Sequence, residues 1–204
     1  MMNNTINIRN NFPKVAARLD RLAVDVGNRA MVRALNTTVT QGKTQMARKI
    51  SQEYRMSVGK ARDRLEVDRA STKGGALRFE ATLKATRAGK GRSMNLIAFV
   101  TGSKVSKASA KRQANTALAG QLQFQIKRGG GKKVITGAFI GNDGRTVFIR
   151  TGKGRLPIKA LNTIDIPQMF NTRRINSVVR EVMIKNFSAN FNRELNVILK
   201  GFIR

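Results

Sequence analysis

The sequence contains no histidine, no cysteine and no tryptophan, and its one tyrosine is Tyr54. Without His or Cys, a zinc centre of the usual ligand set cannot be built. The same absences exclude a His-dependent triad and a cysteine nucleophile. No disulfide is available to staple a secreted scaffold. The Asn-rich start, Met1 to Phe12, lacks the apolar core of a signal peptide. The longest apolar run, Leu96-Ile97-Ala98-Phe99-Val100, is too short to span a bilayer. A soluble intracellular product is expected, with no membrane partner.

Acids are scarce as well: 11 Asp and Glu face 40 Lys and Arg, a net charge of +29. From Ala81 through Asn142 there is no acid at all. The remaining composition is ordinary for a globular chain, with 41% hydrophobic residues and 18 glycines in 204 positions. Such a chain can bury a core. Its charge cannot be neutralised internally, which points to a polyanion or an acidic partner surface.

The apolar pattern suggests helix, sheet, helix. Phe12, Val15, Leu19, Leu22 and Val26, then Leu35, Val39, Gly42, Met46 and Ile50, recur at helical steps, so residues 1–56 read as a long helix. Gly27 and Gly42 mark a kink or the close approach of another helix. Ser57 can cap a short helix reaching Leu65. Within 57–151, Leu77, Phe79, Ala81 and Leu83 alternate, as do Leu122, Phe124 and Ile126. Leu96 to Val100 reads as a strand buried on both faces, and Phe99, Phe124, Phe139 and Phe148 read as core. Val134–Ile140 and Thr146–Arg150 flank Gly141-Asn142-Asp143-Gly144, hairpin chemistry. In 152–204, Ile175, Val179, Val182, Met183, Phe187, Phe191, Leu195 and Leu199 give one apolar helical face. The expected class is α+β: a small, mainly antiparallel sheet flanked by long N-terminal and C-terminal helices, in one structural domain.

Catalytic chemistry finds little footing. Only Asp63, Glu66 and Asp68 cluster among the acids, and Arg62, Arg64 and Arg69 interleave with them, which fits local ion pairing. Gly129-Gly130-Gly131-Lys132 fails the phosphate-loop pattern, with Ile126 at the leading position and Lys133 where a hydroxyl belongs. No catalytic residue, cofactor or metal is expected. The basic stretches remain: Lys104, Lys107, Lys111 and Arg112 in one, Lys127, Arg128, Lys132 and Lys133 in the other. They suit a solvated surface, a nucleic-acid backbone read without sequence, or an acidic protein surface. Neither carries an aromatic for base stacking.

One region is distinctive. Thr136-Gly137-Ala138-Phe139-Ile140 leads to Val147-Phe148-Ile149-Arg150, then Arg155-Leu156-Pro157-Ile158, then Ile166-Pro167-Gln168-Met169-Phe170. In this order, and with Arg33-Ala34-Leu35-Asn36-Thr37-Thr38 near the start, the chain resembles the minor tail protein Z family, the tail-completion proteins of long-tailed bacteriophages. Asn162-Thr163-Ile164-Asp165-Ile166 departs from that pattern. The resemblance implies a structural virion protein at the head-proximal end of a tail, made in the host cytoplasm and working without cofactor or catalysis. Its implied partners are further copies in a ring, roughly six with roughly three as the alternative, the tail terminator and tail tube proteins, and the genomic DNA end. Arg155, Leu156, Pro157 and Ile158 read as a rigid turn plugging a core edge, or as an assembly contact. The rival class is a sequence-nonspecific nucleic-acid-binding protein of ribosomal or nucleoid type.

Overall fold

Two helices of 30 residues each, α1 (Val24–Glu53) and α4 (Arg173–Phe202), lie antiparallel along their lengths. The computed structural model describes residues 5–7, 24–71, 78–86, 93–101 and 122–202. Along α4, Ile175, Val179, Met183, Phe187 and Phe191 are buried at every fourth residue. That spacing lays one stripe down a single face. Leu35, Val39, Met46 and Ile50 of α1 are buried opposite. Phe12, Val15, Leu19 and Leu22 lie outside the described residues.

Close approach is enforced at Gly42. A Cβ there would lie 2.4 Å from Met183 Sδ and 2.8 Å from its Cγ, so any larger residue requires the buried Met183 side chain to move. One of the two outcomes expected at this glycine, contact with another helix, is therefore realised. Beside it the interface is polar. Asn190 donates to Thr38 Oγ1 at 2.9 Å and to Gln41 Oε1 at 3.0 Å. Asn186 also donates to Gln41 Oε1, at 3.2 Å.

The remaining elements pack around this pair. Thr5–Asn7 forms β1 rather than the start of a helix, and it pairs antiparallel with β3 (Thr82–Ala85). Helix α2 (Val58–Arg62) starts where Ser57 Oγ accepts from the Lys60 N–H at 3.3 Å. It stops before Leu65 because β2 (Leu65–Asp68) begins there and pairs with β3. The sheet sits on α1 and is fastened by Asn36, whose amide donates to Ala70 O (3.0 Å) and accepts from Ala70 N–H (2.9 Å).

Strands β4 (Met94–Asn95) and β5 (Val100–Thr101) flank a 3-10 turn at Leu96–Phe99, where a continuous strand was expected. Asn95 Oδ1 accepts from Ile97 N–H at 3.0 Å and supplies the cap that tips this apolar run out of extended form. Then follow β6 (Gln123–Phe124), β7 (Lys133–Val134), β8 (Ala138–Gly141), β9 (Thr146–Arg150), β10 (Ile158–Ala160) and β11 (Asn162–Thr163). The α+β class holds, but among the described residues the strands form four short antiparallel sheets instead of one: β1-β3-β2, β5-β6-β7, β8-β9-β10 and β4-β11. The turn between β8 and β9 is as expected, with Asn142, Asp143 and Gly144 all at positive φ. The strand expected over Val134–Ile140 is broken, however: Val134 ends β7 and pairs with Gln123, and β8 starts only after Gly137, itself at positive φ. Helix α3 (Ile166–Phe170) is opened by a capping box between Asp165 and Gln168 and leads into α4. Phe99 and Phe124 are core. Phe139 and Phe148 are only half-buried and stand outside the core cluster, a departure from expectation.

Candidate functional site

Helix α1 ends at Glu53, and its last carbonyls need partners from elsewhere. The β6–β7 loop supplies them. Arg128 N–H donates to Glu53 O at 2.9 Å, and Arg128 Nε donates to Ser51 O at 2.7 Å. A guanidinium at the negative end of a helix is electrostatically favourable. Arg55 N–H donates to Ile126 O at 2.8 Å, and Tyr54 forms a bridge with Lys127. Inside the loop, Gln125 Nε2 donates to Arg128 O (3.1 Å) and Gly130 O (2.9 Å). The stretch that reads as a basic loop is thus seated on the helix terminus.

Of its four cations, Arg128 helps hold this seat, while Lys127, Lys132 and Lys133 are exposed. Three further arginines lie at the same end of the helix pair and were missed in the sequence. Arg55 is exposed and donates to Gln125 Oε1 at 3.1 Å. Tyr54 Oη lies 3.2 Å from Thr172 Oγ1, which sets the end of α1 beside the start of α4. There α4 opens with exposed Arg173 and Arg174 and has no acid in its first turn. Two arginines where the helix dipole favours acids are the signal that could have drawn attention. Lys104, Lys107, Lys111 and Arg112 lie outside the described residues.

The Arg155-Leu156-Pro157-Ile158 segment belongs to the β9–β10 hairpin. Pro157 O accepts from both Thr151 N–H and Thr151 Oγ1 at 3.1 Å, and Arg150 Nη1 donates to Arg155 O at 2.7 Å. The turn is well tied. It does not plug a core edge, because Leu156 is 70% and Ile158 39% exposed.

An open cleft of about 390 Å³ is lined by Met56, Lys60, Asp63, Arg64, Met94, Asp165 and Ile166. Asp165 Oδ1 accepts from Ile166 N–H at 2.7 Å, so this carboxylate is engaged in capping α3. Among the described residues no group of three or more acids converges as a metal site, and no helix is long and apolar enough to cross a membrane. Within the acidic cluster, Asp68 is bonded by Lys84 of the neighbouring strand β3, a cross-strand partner and not one of the interleaved arginines.

Compared with known proteins, residues 14–204 match the family model described as prophage minor tail protein Z (GPZ). Comparisons with curated proteins and with solved structures each return no match.

Proposed function

The chain belongs to that prophage minor tail protein Z family, and from this premise we propose that it completes the tail at its head-proximal end. In this reading it is a structural, non-catalytic virion protein. Copies form a ring near the tail terminator, roughly six by tail symmetry, with roughly three as the alternative. The family match over residues 14–204 carries the reading.

Charge gives the ring a physical role. A +29 protomer repeated around a channel makes a positive collar that can hold a DNA end through its phosphates, whatever the sequence. The exposed cations Lys127, Lys132 and Lys133, with Arg55, Arg173 and Arg174 at the same helix ends, suit that contact. The proposal extends to Lys104, Lys107, Lys111 and Arg112, whose basic stretch suits DNA or an acidic tail-tube surface. Arg155, Leu156, Pro157 and Ile158 are assigned to assembly contact, because exposed apolar residues on a tied turn fit a partner better than solvent.

Quantitative mass spectrometry of purified particles tests the reading. A small integer of copies per particle, consistent with one ring, is expected. Absence of the chain from particles would overturn it in favour of a basic nucleic-acid-binding protein. Charge reversal in both basic stretches is expected to disturb DNA positioning; unchanged positioning would remove the DNA contact alone.

A further inference from the structure

The β8-β9-β10 sheet has two apolar faces, and the described core covers one. Register places Phe139 opposite Phe148, Phe148 opposite Ala160, and Arg150 opposite Ile158. Paired residues share a face, and residues two apart on a strand return to it. Phe139, Phe148, Arg150, Ile158 and Ala160 therefore lie together. The Arg150 guanidinium 5.1 Å above the Phe139 ring agrees with this assignment. On the other face Val147 is fully buried, and Ala138, Ile140 and Leu161 pack on the core. An antiparallel sheet with one solvated face ordinarily alternates apolar-in with polar-out. This one presents two phenylalanines outward, with Leu156 exposed at its end.

We propose that this outward face, with the Thr151–Pro157 turn, docks an acidic protein of the tail. The proposal rests on the tail reading and names the chemistry of the partner. Three observations select it. The surface is pre-ordered, since the turn is closed by hydrogen bonds through Pro157 O and Arg155 O, and so little ordering is left to binding. Its surroundings are cationic: Arg145, Arg150, Lys153 and Arg155 stand on this face or its turns against one acid, Asp143. A second copy would bring another +29 to this rim, and carboxylates to match it are scarce in this chain. A nucleic-acid backbone would satisfy the cations but cover neither exposed Leu156 and Ile158 nor the outer side of the packed Phe139–Phe148 pair with apolar surface. An apolar patch ringed by carboxylates satisfies both.

The test places the photo-crosslinker p-benzoylphenylalanine at position 156 of the full chain, which is then assembled into tail particles and irradiated. The expected adduct is with one other tail protein, within a segment rich in Asp and Glu. An adduct with a second copy, with DNA or within the same chain would overturn the proposal, as would particles that contain the chain but give no adduct. Particles lacking the unmodified chain would overturn the tail reading itself, and this proposal with it. As a companion, Leu156→Asp is expected to leave the melting temperature unchanged, because the side chain is exposed. Its incorporation into particles should fall about tenfold or more. Normal incorporation of this variant would also overturn the docking surface.

Discussion

At Gly42 two residue-scale effects oppose each other. Alanine is the better helix former by about 1 kcal/mol. Its Cβ, however, would meet Met183 Sδ at 2.4 Å and Cγ at 2.8 Å, and Met183 is only 1% exposed. Overpacking of this kind costs about 1–3 kcal/mol, so Gly42→Ala is expected to destabilise by about 1 kcal/mol in urea unfolding. In a Met183→Ala background the same change should become neutral or stabilising. Equal losses in both backgrounds would rule out this contact as the cause. A second test concerns Asp68, whose hydrogen bond from Lys84 holds its carboxyl below the usual carboxylate range. A depressed folded pKa stabilises above the ordinary value of about 4 and loses that effect as pH falls through the lowered value. Asp68→Asn is therefore expected to flatten the stability profile below about pH 4. The loss belongs to neutral pH, where it is small because the pair is solvent-exposed, and the two proteins are expected to converge in stability as pH falls. Urea melts of both proteins across the acid range would settle it, and parallel profiles would show that the pair contributes nothing.

Pairing of α1 with α4 shows which features of an element are legible in sequence. Their apolar stripes repeat along one chain, and a periodicity needs no knowledge of the partner. Asn190 is 5% exposed, but its position reads as a polar surface residue until Thr38 and Gln41 are seen across the interface. Asn36 and Asn95 are similar: their partners lie 34 and 52 residues away, at Ala70 and Val147. Such distances in sequence leave no local signature. Phe139 and Phe148 mislead for a related reason, since alternation identifies a strand and its faces but not which face is covered. Leu96–Phe99 misleads because a short apolar run has no period, and one amide cap decides its form. Asn190→Ala should cost about 1–3 kcal/mol, because buried Thr38 loses the amide that donates to it while Gln41 Oε1 keeps the bond from Asn186. At the helix end, Arg128→Ala is expected to speed amide exchange in the last turn of α1. Arg128→Lys should not restore protection, because an ammonium cannot reproduce the guanidinium Nε bond to Ser51 while the same residue's backbone bonds Glu53. Wild-type exchange in both variants would show that the loop seat does not depend on this side chain.

For the whole molecule, excess charge makes opposite demands on the two associations proposed for it. Binding to duplex DNA releases counterions and must weaken as salt rises, by a slope of about 0.9 per phosphate contact. Replacing Lys127, Lys132 and Lys133 together by Gln is expected to reduce that slope by up to about 3, equally for two unrelated duplexes. Arg128 is left intact in this variant so that the loop keeps its seat on α1. Ring formation runs the other way. Protomers of +29 repel one another, and added salt screens the repulsion. Purified chain is therefore expected to be monomeric at low ionic strength and to associate as salt rises, or as a duplex or an acidic tail protein supplies the missing negative charge. Native mass spectrometry and sedimentation over a salt series read both dependences from one preparation. Opposite signs would mean that DNA and acidic partners promote assembly by neutralising the ring. Association that weakens with salt in the absence of any polyanion would mean that specific ion pairs between copies hold the ring. The few acids, Glu181 and Glu194 of α4 among them, would then be the residues to mutate.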